Sequence, residues 1–203
     1  MHLLPTQDEV MRILRETGAL RDGHFEYSNG LHSDGYLQVP LALRYYQNAR
    51  TLSVALSRML RSHAEIRAMI GDLSIVAPTT GGLPIAYGIC ETLRAHQVYW
   101  VERHDHTLPA RLRQFLEPHT GEKVVMADDI LRSGQKFLEL KEILEAAGAE
   151  VVAVAAVVYQ PTPKTIDLGV PTYYLAKLDA CYYTDVADCK LCQKGVPLER
   201  VWV

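Results

Sequence analysis

Lys123-Val124-Val125-Met126-Ala127-Asp128-Asp129-Ile130-Leu131-Arg132-Ser133-Gly134 is the stretch on which the fold turns. Apolar residues run into two adjacent carboxylates. A Ser/Gly loop follows, then a helical pattern carrying Phe137, Leu140, Ile143 and Leu144 that stops at Gly148. This reads as a buried strand, Val124 to Ala127, feeding a helix from Ser133 to Ala147. Two acids at the end of such a strand are costly unless something binds them. Loop N–H groups that meet a helix N-terminus form a ready anion site. Asp, Ser and Gly also occur at ordinary helix caps, so capping alone is the plain alternative. The second acid and the Ser-Gly pair exceed what a cap needs. Hydroxyls or a metal for the acids, with a phosphate for the loop, describe a sugar phosphate.

Working outward, strands and helices alternate. Leu73 to Ala77 reads as a strand, Gly82 to about Arg94 as an apolar helix, and Val98 to Val101 as a strand. A polar stretch from Glu102 to Gly121 precedes the acid-pair strand. Val151 to Tyr159 and Thr172 to Ala176 supply two more strands. That order predicts an α/β fold, a Rossmann-like parallel sheet flanked by helices that binds ligand at its strand carboxyl ends. Upstream, Thr6-x-x-Glu9 forms a capping box for a helix ended by Gly18, and Gln47 to Arg61 carries a helical apolar face. The Gly-, Ser- and Asn-rich segment from Gly23 to Tyr36 reads as loops or short irregular strands.

A chain of 203 residues, 48% hydrophobic and 22% charged, fits a single domain with an ample core. A net charge of -3 gives no case for a nucleic-acid or membrane surface. Without a signal-like or membrane-spanning run, the expected location is the cytoplasm. Of four cysteines, Cys90 reads as a small core residue, while Cys189-x-x-Cys192 is a lone pair with Cys181 upstream. Neither a second pair nor a neighbouring histidine in sequence completes a zinc set. A disulfide, a partial metal site shared between subunits, and reduced thiols all stay open, and a cytosolic location favours thiols. His24 and His32 read as packing or hydrogen-bonded residues, and the tyrosine pairs as packing.

Three loops fall at strand ends: Pro78-Thr79-Thr80-Gly81-Gly82, the stretch from Glu102-Arg103-His104-Asp105-His106, and the Asp128-Asp129 loop. Together they resemble the type I phosphoribosyltransferases and their signature for 5-phosphoribosyl 1-diphosphate (PRPP). Gly18-Ala19-Leu20, then Gly23-His24-Phe25 and Ser28-Asn29-Gly30-Leu31-His32-Ser33-Asp34, is similar to the hood of the orotate phosphoribosyltransferases. The tail Asp188 to Pro197 is similar to the ending of one bacterial branch of that family. The resemblance implies a glycosyltransferase of pyrimidine nucleotide biosynthesis that makes orotidine 5-phosphate and pyrophosphate from orotate and PRPP with Mg²⁺. It also implies a homodimer of one-domain chains, with residues 18–40 in the hood and 179–203 as a C-terminal extension.

By the same resemblance, Asp128 and Asp129 engage the ribose hydroxyls, with Mg²⁺ reached through water or PRPP. Ile130, Leu131, Arg132, Ser133, Gly134 and Gln135 cradle the 5-phosphate, and Thr79, Thr80, Gly81 and Gly82 hold the pyrophosphate. Arg103 and His106 are the expected catalytic residues of the lid, and Ser28, Gly30, Ser33 and Gln160 would hold the base. Two departures stand out. The lid is free of lysine, since Lys123 is the first in the chain, and Tyr159-Gln160 replaces the family's Asp-Arg pair. They keep two alternatives open: a transferase for another nucleobase, and a PRPP-binding homologue with little catalysis.

Overall fold

Strand β6 (Lys123–Leu131) shows why the central sheet forms. Val124, Val125, Met126 and Ala127 are all fully buried. Val125 and Ala127 pack into one apolar cluster and Val124 and Met126 into another, as a period of two requires when both faces are covered. The computed structural model describes residues 4–28, 30–78, 80–103, 109–162, 164–179, 181–183 and 186–201. Before β6 come α1 (Gln7–Glu16), β1 (Leu20–Glu26), β2 (His32–Leu37), α2 (Pro40–Leu43), α3 (Tyr46–Ser62), α4 (Ala64–Met69), β3 (Leu73–Ala77), α5 (Leu83–Leu93), β4 (Gln97–Glu102) and β5 (Arg111–Leu112). After it come α6 (Gln135–Ala146), β7 (Glu150–Tyr159), β8 (Thr172–Lys177), β9 (Tyr182–Tyr183), α7 (Lys190–Gln193) and β10 (Glu199–Arg200).

The main sheet has the order β5-β4-β3-β6-β7-β8 and is parallel except for β5, which returns antiparallel on β4. Arg113 binds Glu102 at 3.2 Å beside that return. From the shared centre β3–β6, the chain leaves β3 through α5 and β6 through α6. The buried face of α5 lies in one core cluster and that of α6 in the other, so the two helices cover opposite faces. The β3–β6 boundary is therefore the topological switch point, where such sheets open a crevice at their strand carboxyl ends.

Two expectations need adjusting. The acid pair lies inside β6 and not after it. Pairing with β3 stops at Val76–Met126, whereas pairing with β7 runs on to Leu131–Tyr159. The long partner β7 keeps the strand extended, while the β3 side opens at the two acids. The segment from Gly23 to Tyr36 lies within a regular antiparallel hairpin, β1–β2, with a register shift between Asp22 and Phe25. Its pattern escapes a local reading because β9 and β10, from the other end of the chain, complete the sheet in the order β10-β1-β2-β9. Its core is small, built on Phe25, Tyr36 and Val201 with Tyr27 against them. The capping box at Thr6 and Glu9 forms as read. Among the described residues, no helix is long and apolar enough to cross a membrane.

Candidate active site

A cleft of about 490 Å³ opens at the switch point, lined by Thr80 and Gly81 after β3, by Asp128, Asp129 and Ile130 of β6, and by the loop into α6. The Thr80–Gly82 turn lies directly on the acids. A Cβ at Gly82 would stand 2.5 Å from Asp128 Oδ1, and one at Gly81 would stand 3.5 Å from Asp129 Oδ1. Only a residue without a side chain fits at Gly82.

Asp128 is 4% exposed. Its Oδ1 accepts the Asp129 N–H at 2.9 Å. Burial, and next the charge of Asp129, push the Asp128 carboxyl well above the usual carboxylate range, and the charge of Lys136 partly offsets this. Lys136, in the first turn of α6, lines the cleft. Such a pair favours a ligand that brings hydroxyl donors or a cation. The neighbouring side-chain donors, Thr80, Ser133, Gln38 and Gln135, offer hydroxyl and carboxamide oxygens. That set suits a hard cation such as Mg²⁺.

The loop into α6 is braced from behind. Thr165 Oγ1 donates to the Arg132 carbonyl at 2.8 Å, and the Ile166 N–H donates to the Ser133 carbonyl at 2.9 Å. Gly134 takes φ 81° at the helix start. With its carbonyls held, the loop leads into the first turn of α6, whose N–H groups have no helical acceptor. Helix start, dipole and Lys136 together favour an anion there.

The Arg132 side chain is held by two acceptors outside the loop. Its Nε donates to Gln160 Oε1 at 2.7 Å and its terminal nitrogen to the Leu37 carbonyl at 3.1 Å. The Tyr182 hydroxyl donates to the same Gln160 oxygen at 3.1 Å. Gln160 is 3% exposed. Tyr27 packs against Tyr182 at 6.1 Å between ring centroids, and its hydroxyl is pushed up to about 12, by burial first and then by Tyr182. Hence the Arg132 guanidinium and the Tyr182 hydroxyl both hold the Gln160 side-chain oxygen.

The structure thus brings together Thr80, Gly81, Gly82, Asp128, Asp129, Ile130, Arg132, Ser133, Gly134 and Gln135. Leu131 faces the core, 4% exposed. Thr79 and His106 lie outside the described residues. Arg103 does not line the cleft. It pairs with Glu139 of α6, whose other oxygen accepts the Ala110 N–H at 2.9 Å. Ser28 and Gly30 are exposed at the β1–β2 turn, and Ser33 is buried in β2, where its Oγ accepts the Gly35 N–H at 3.2 Å. None of the three lines the cleft. Lys136 and Tyr182 escaped the sequence reading. A lysine two residues past Ser133-Gly134 could have been found by its place in a helix's first turn, whereas nothing local marks Tyr182.

No family model matches the chain. An orotate phosphoribosyltransferase of Thermotoga maritima is 32% identical over 191 residues, covering 94% of this chain and 96% of the relative. One from Carboxydothermus hydrogenoformans is 32% identical over 192 residues, 95% of each. Among solved structures, the orotate phosphoribosyltransferase of Aeropyrum pernix superposes with a TM-score of 0.67 at 22% identity, over 83% of this chain and 93% of that one, and shares the type I phosphoribosyltransferase fold. The chain belongs to the orotate phosphoribosyltransferase family.

Proposed function

We propose that this chain is an orotate phosphoribosyltransferase, transferring the 5-phosphoribosyl group of PRPP to orotate in pyrimidine nucleotide biosynthesis. The observation that carries the reading is the acid pair of β6 set under the Thr80–Gly82 turn and beside the start of α6. Displacing pyrophosphate from the sugar passes through an oxocarbenium-like state. The work lies in holding the sugar, receiving the leaving anion and aligning the base nitrogen.

Asp128 and Asp129 accept the two ribose hydroxyls and keep negative charge near the developing cation. Ser133, Gly134 and Gln135 receive the 5-phosphate at the head of α6. Thr79 and the Thr80–Gly82 turn receive the pyrophosphate, with Lys136 as a nearby cation. Mg²⁺ held at Asp128 and Asp129 would neutralise part of the pyrophosphate charge. For the base, Arg132 supplies the positive charge that Gln160 lacks, and Gln160 fixes the guanidinium in place. Arg103 and His106 act from the lid once Arg103 leaves Glu139. The same reading includes a homodimer, as the family resemblance implies.

Gln160 also favours a second reading, a transferase for an uncharged base. Pyrophosphate release from PRPP and Mg²⁺ with orotate, uracil, adenine and hypoxanthine in turn separates the two. Orotate giving the highest kcat/KM is expected. Preference for an uncharged base selects the second reading, and no release with any base leaves a PRPP-binding protein.

A further inference from the structure

We propose that His24, His32, Cys189 and Cys192 form a tetrahedral, structural Zn²⁺ site that fastens the C-terminal segment to the small sheet. The four ligand atoms all lie within 4.8 Å of one another. His24 Nε2 is 3.0 Å from His32 Nδ1 and 3.5 Å from each cysteine sulfur. Cys192 Sγ is 3.3 Å from His32 Nδ1. A Zn²⁺ with bonds of about 2.3 Å to sulfur and about 2.0 Å to nitrogen has ligand–ligand edges of roughly 3.3 to 3.8 Å. Four of the six edges, at 3.0 to 3.5 Å, are of that size or slightly shorter, and the other two lie within 4.8 Å.

Hydrogen bonding alone accounts for it poorly. His24 Nδ1 is 2.9 Å from the Val196 carbonyl, which can only accept, so the proton sits on that nitrogen and the Nε2 lone pair faces the cluster. Such an outer partner is what orients a metal-bound imidazole. His24 and His32 are each 3% exposed and Cys189 is fully buried. Lone pairs gathered in such a place call for a cation. Two nitrogens and two sulfurs select zinc over the hard ions, and four protein ligands leave no position for substrate. Binding releases two thiol protons to solvent and requires no oxidant.

A second observation gives the site its purpose. The small sheet has few apolar residues beneath it, and sheets with so little core are commonly stapled by a metal or disulfide. His24 lies on β1, His32 on β2, and Cys189 and Cys192 flank the start of α7, so one ion would join all three. It would also hold β9, since His32 pairs with Tyr183 and Ser33 with Tyr182, the tyrosine that reaches Gln160.

The test begins with protein prepared in reductant without added metal or chelator, analysed for metal by elemental mass spectrometry. About one zinc per chain is expected. Cys181→Ser, which changes the exposed thiol outside the cluster, should keep it. Metal-stripped protein titrated with Co²⁺ should show thiolate charge-transfer and tetrahedral d–d bands that saturate at one equivalent. Cys189→Ser/Cys192→Ser should lose both signals, and stripping wild type should lower its Tm by several degrees. A folded wild type with no stoichiometric metal and no tetrahedral cobalt spectrum would overturn the proposal, as would a Cys189–Cys192 disulfide that persists in reductant. These readings do not use turnover, so they stand or fall apart from the transferase activity.

Discussion

Replacing Asp128 by asparagine should stabilise the ligand-free protein while removing its affinity for PRPP. The side chain is 4% exposed, and asparagine keeps both its shape and the Oδ1 that accepts the Asp129 N–H. What disappears is one of two adjacent buried or half-buried charges. Two like charges about 4 Å apart repel by about 4 kcal/mol at an effective dielectric of about 20. Solvent at Asp129 and the charge of Lys136 reduce this, leaving a gain of about 1 to 2 kcal/mol. For a chain of this length that raises Tm by roughly 2 to 8 °C. The pH dependence has a definite sign. Asp128 is raised above its unfolded value, so the folded state suffers the full penalty above the raised pKa. The penalty fades as pH falls through that value towards the unfolded pKa of about 3.9. The variant's advantage should be largest at neutral pH and shrink on acidification. Scanning calorimetry from neutral pH to about pH 4 reads the first effect, and titration calorimetry with Mg-PRPP reads the second. A variant less stable than wild type at neutral pH would show that the two carboxylates do not repel as described, and one that binds PRPP as well would show that Asp128 does not hold it.

Other residues give independent tests. Gly82→Ala forces a Cβ to within 2.5 Å of Asp128 Oδ1 and 2.9 Å of the Ala127 carbonyl. It should cost about 1 to 3 kcal/mol by thermal melting and abolish PRPP binding. Arg132→Leu removes the charge beside Gln160 and should raise KM for orotate by roughly 10- to 100-fold with PRPP affinity little changed, read by steady-state kinetics. Gln160→Arg sets a second guanidinium against Arg132 in a buried place. Lower Tm and lower orotate turnover are expected, and a gain in turnover would show that Arg132 does not serve the base. Glu122, 1% exposed, is pushed up by burial, but bonds from Ser74, Tyr99 and the His119 N–H outweigh this and hold it below its usual range. Its stabilisation is present above the unfolded pKa of about 4.3 and is lost as pH falls through the lowered folded value. Glu122→Gln should therefore cost about 1 to 3 kcal/mol at neutral pH in denaturant titrations, the difference closing only in acid.

What could be read from the chain tracks how local the signal is. The run from Lys123 to Gly134 shows its strand, acids and loop within twelve consecutive residues, and Thr6 with Glu9 shows a helix start within four. Both are short-range chemistry, and both stand in the structure. The length of β6 was hidden because β7 dictates it by pairing to Tyr159. The hairpin β1–β2 was hidden because residues near 183 and 199 complete its sheet. Arg132 reads as part of a phosphate loop, yet its side chain is held by Gln160, 28 residues on. His24 and Cys189 are 165 residues apart, so Cys189-x-x-Cys192 looks incomplete until the fold closes.

The proposed activity places formation of orotidine 5-phosphate in the cleft at the β3–β6 boundary. Ultraviolet absorbance of orotate, followed with purified protein, PRPP and Mg²⁺, tests it most directly. Loss of orotate absorbance that needs both PRPP and Mg²⁺, and that vanishes in Asp128→Asn/Asp129→Asn, is the predicted result. Unchanged absorbance with folded wild-type protein, or loss that persists in the double variant, would contradict it.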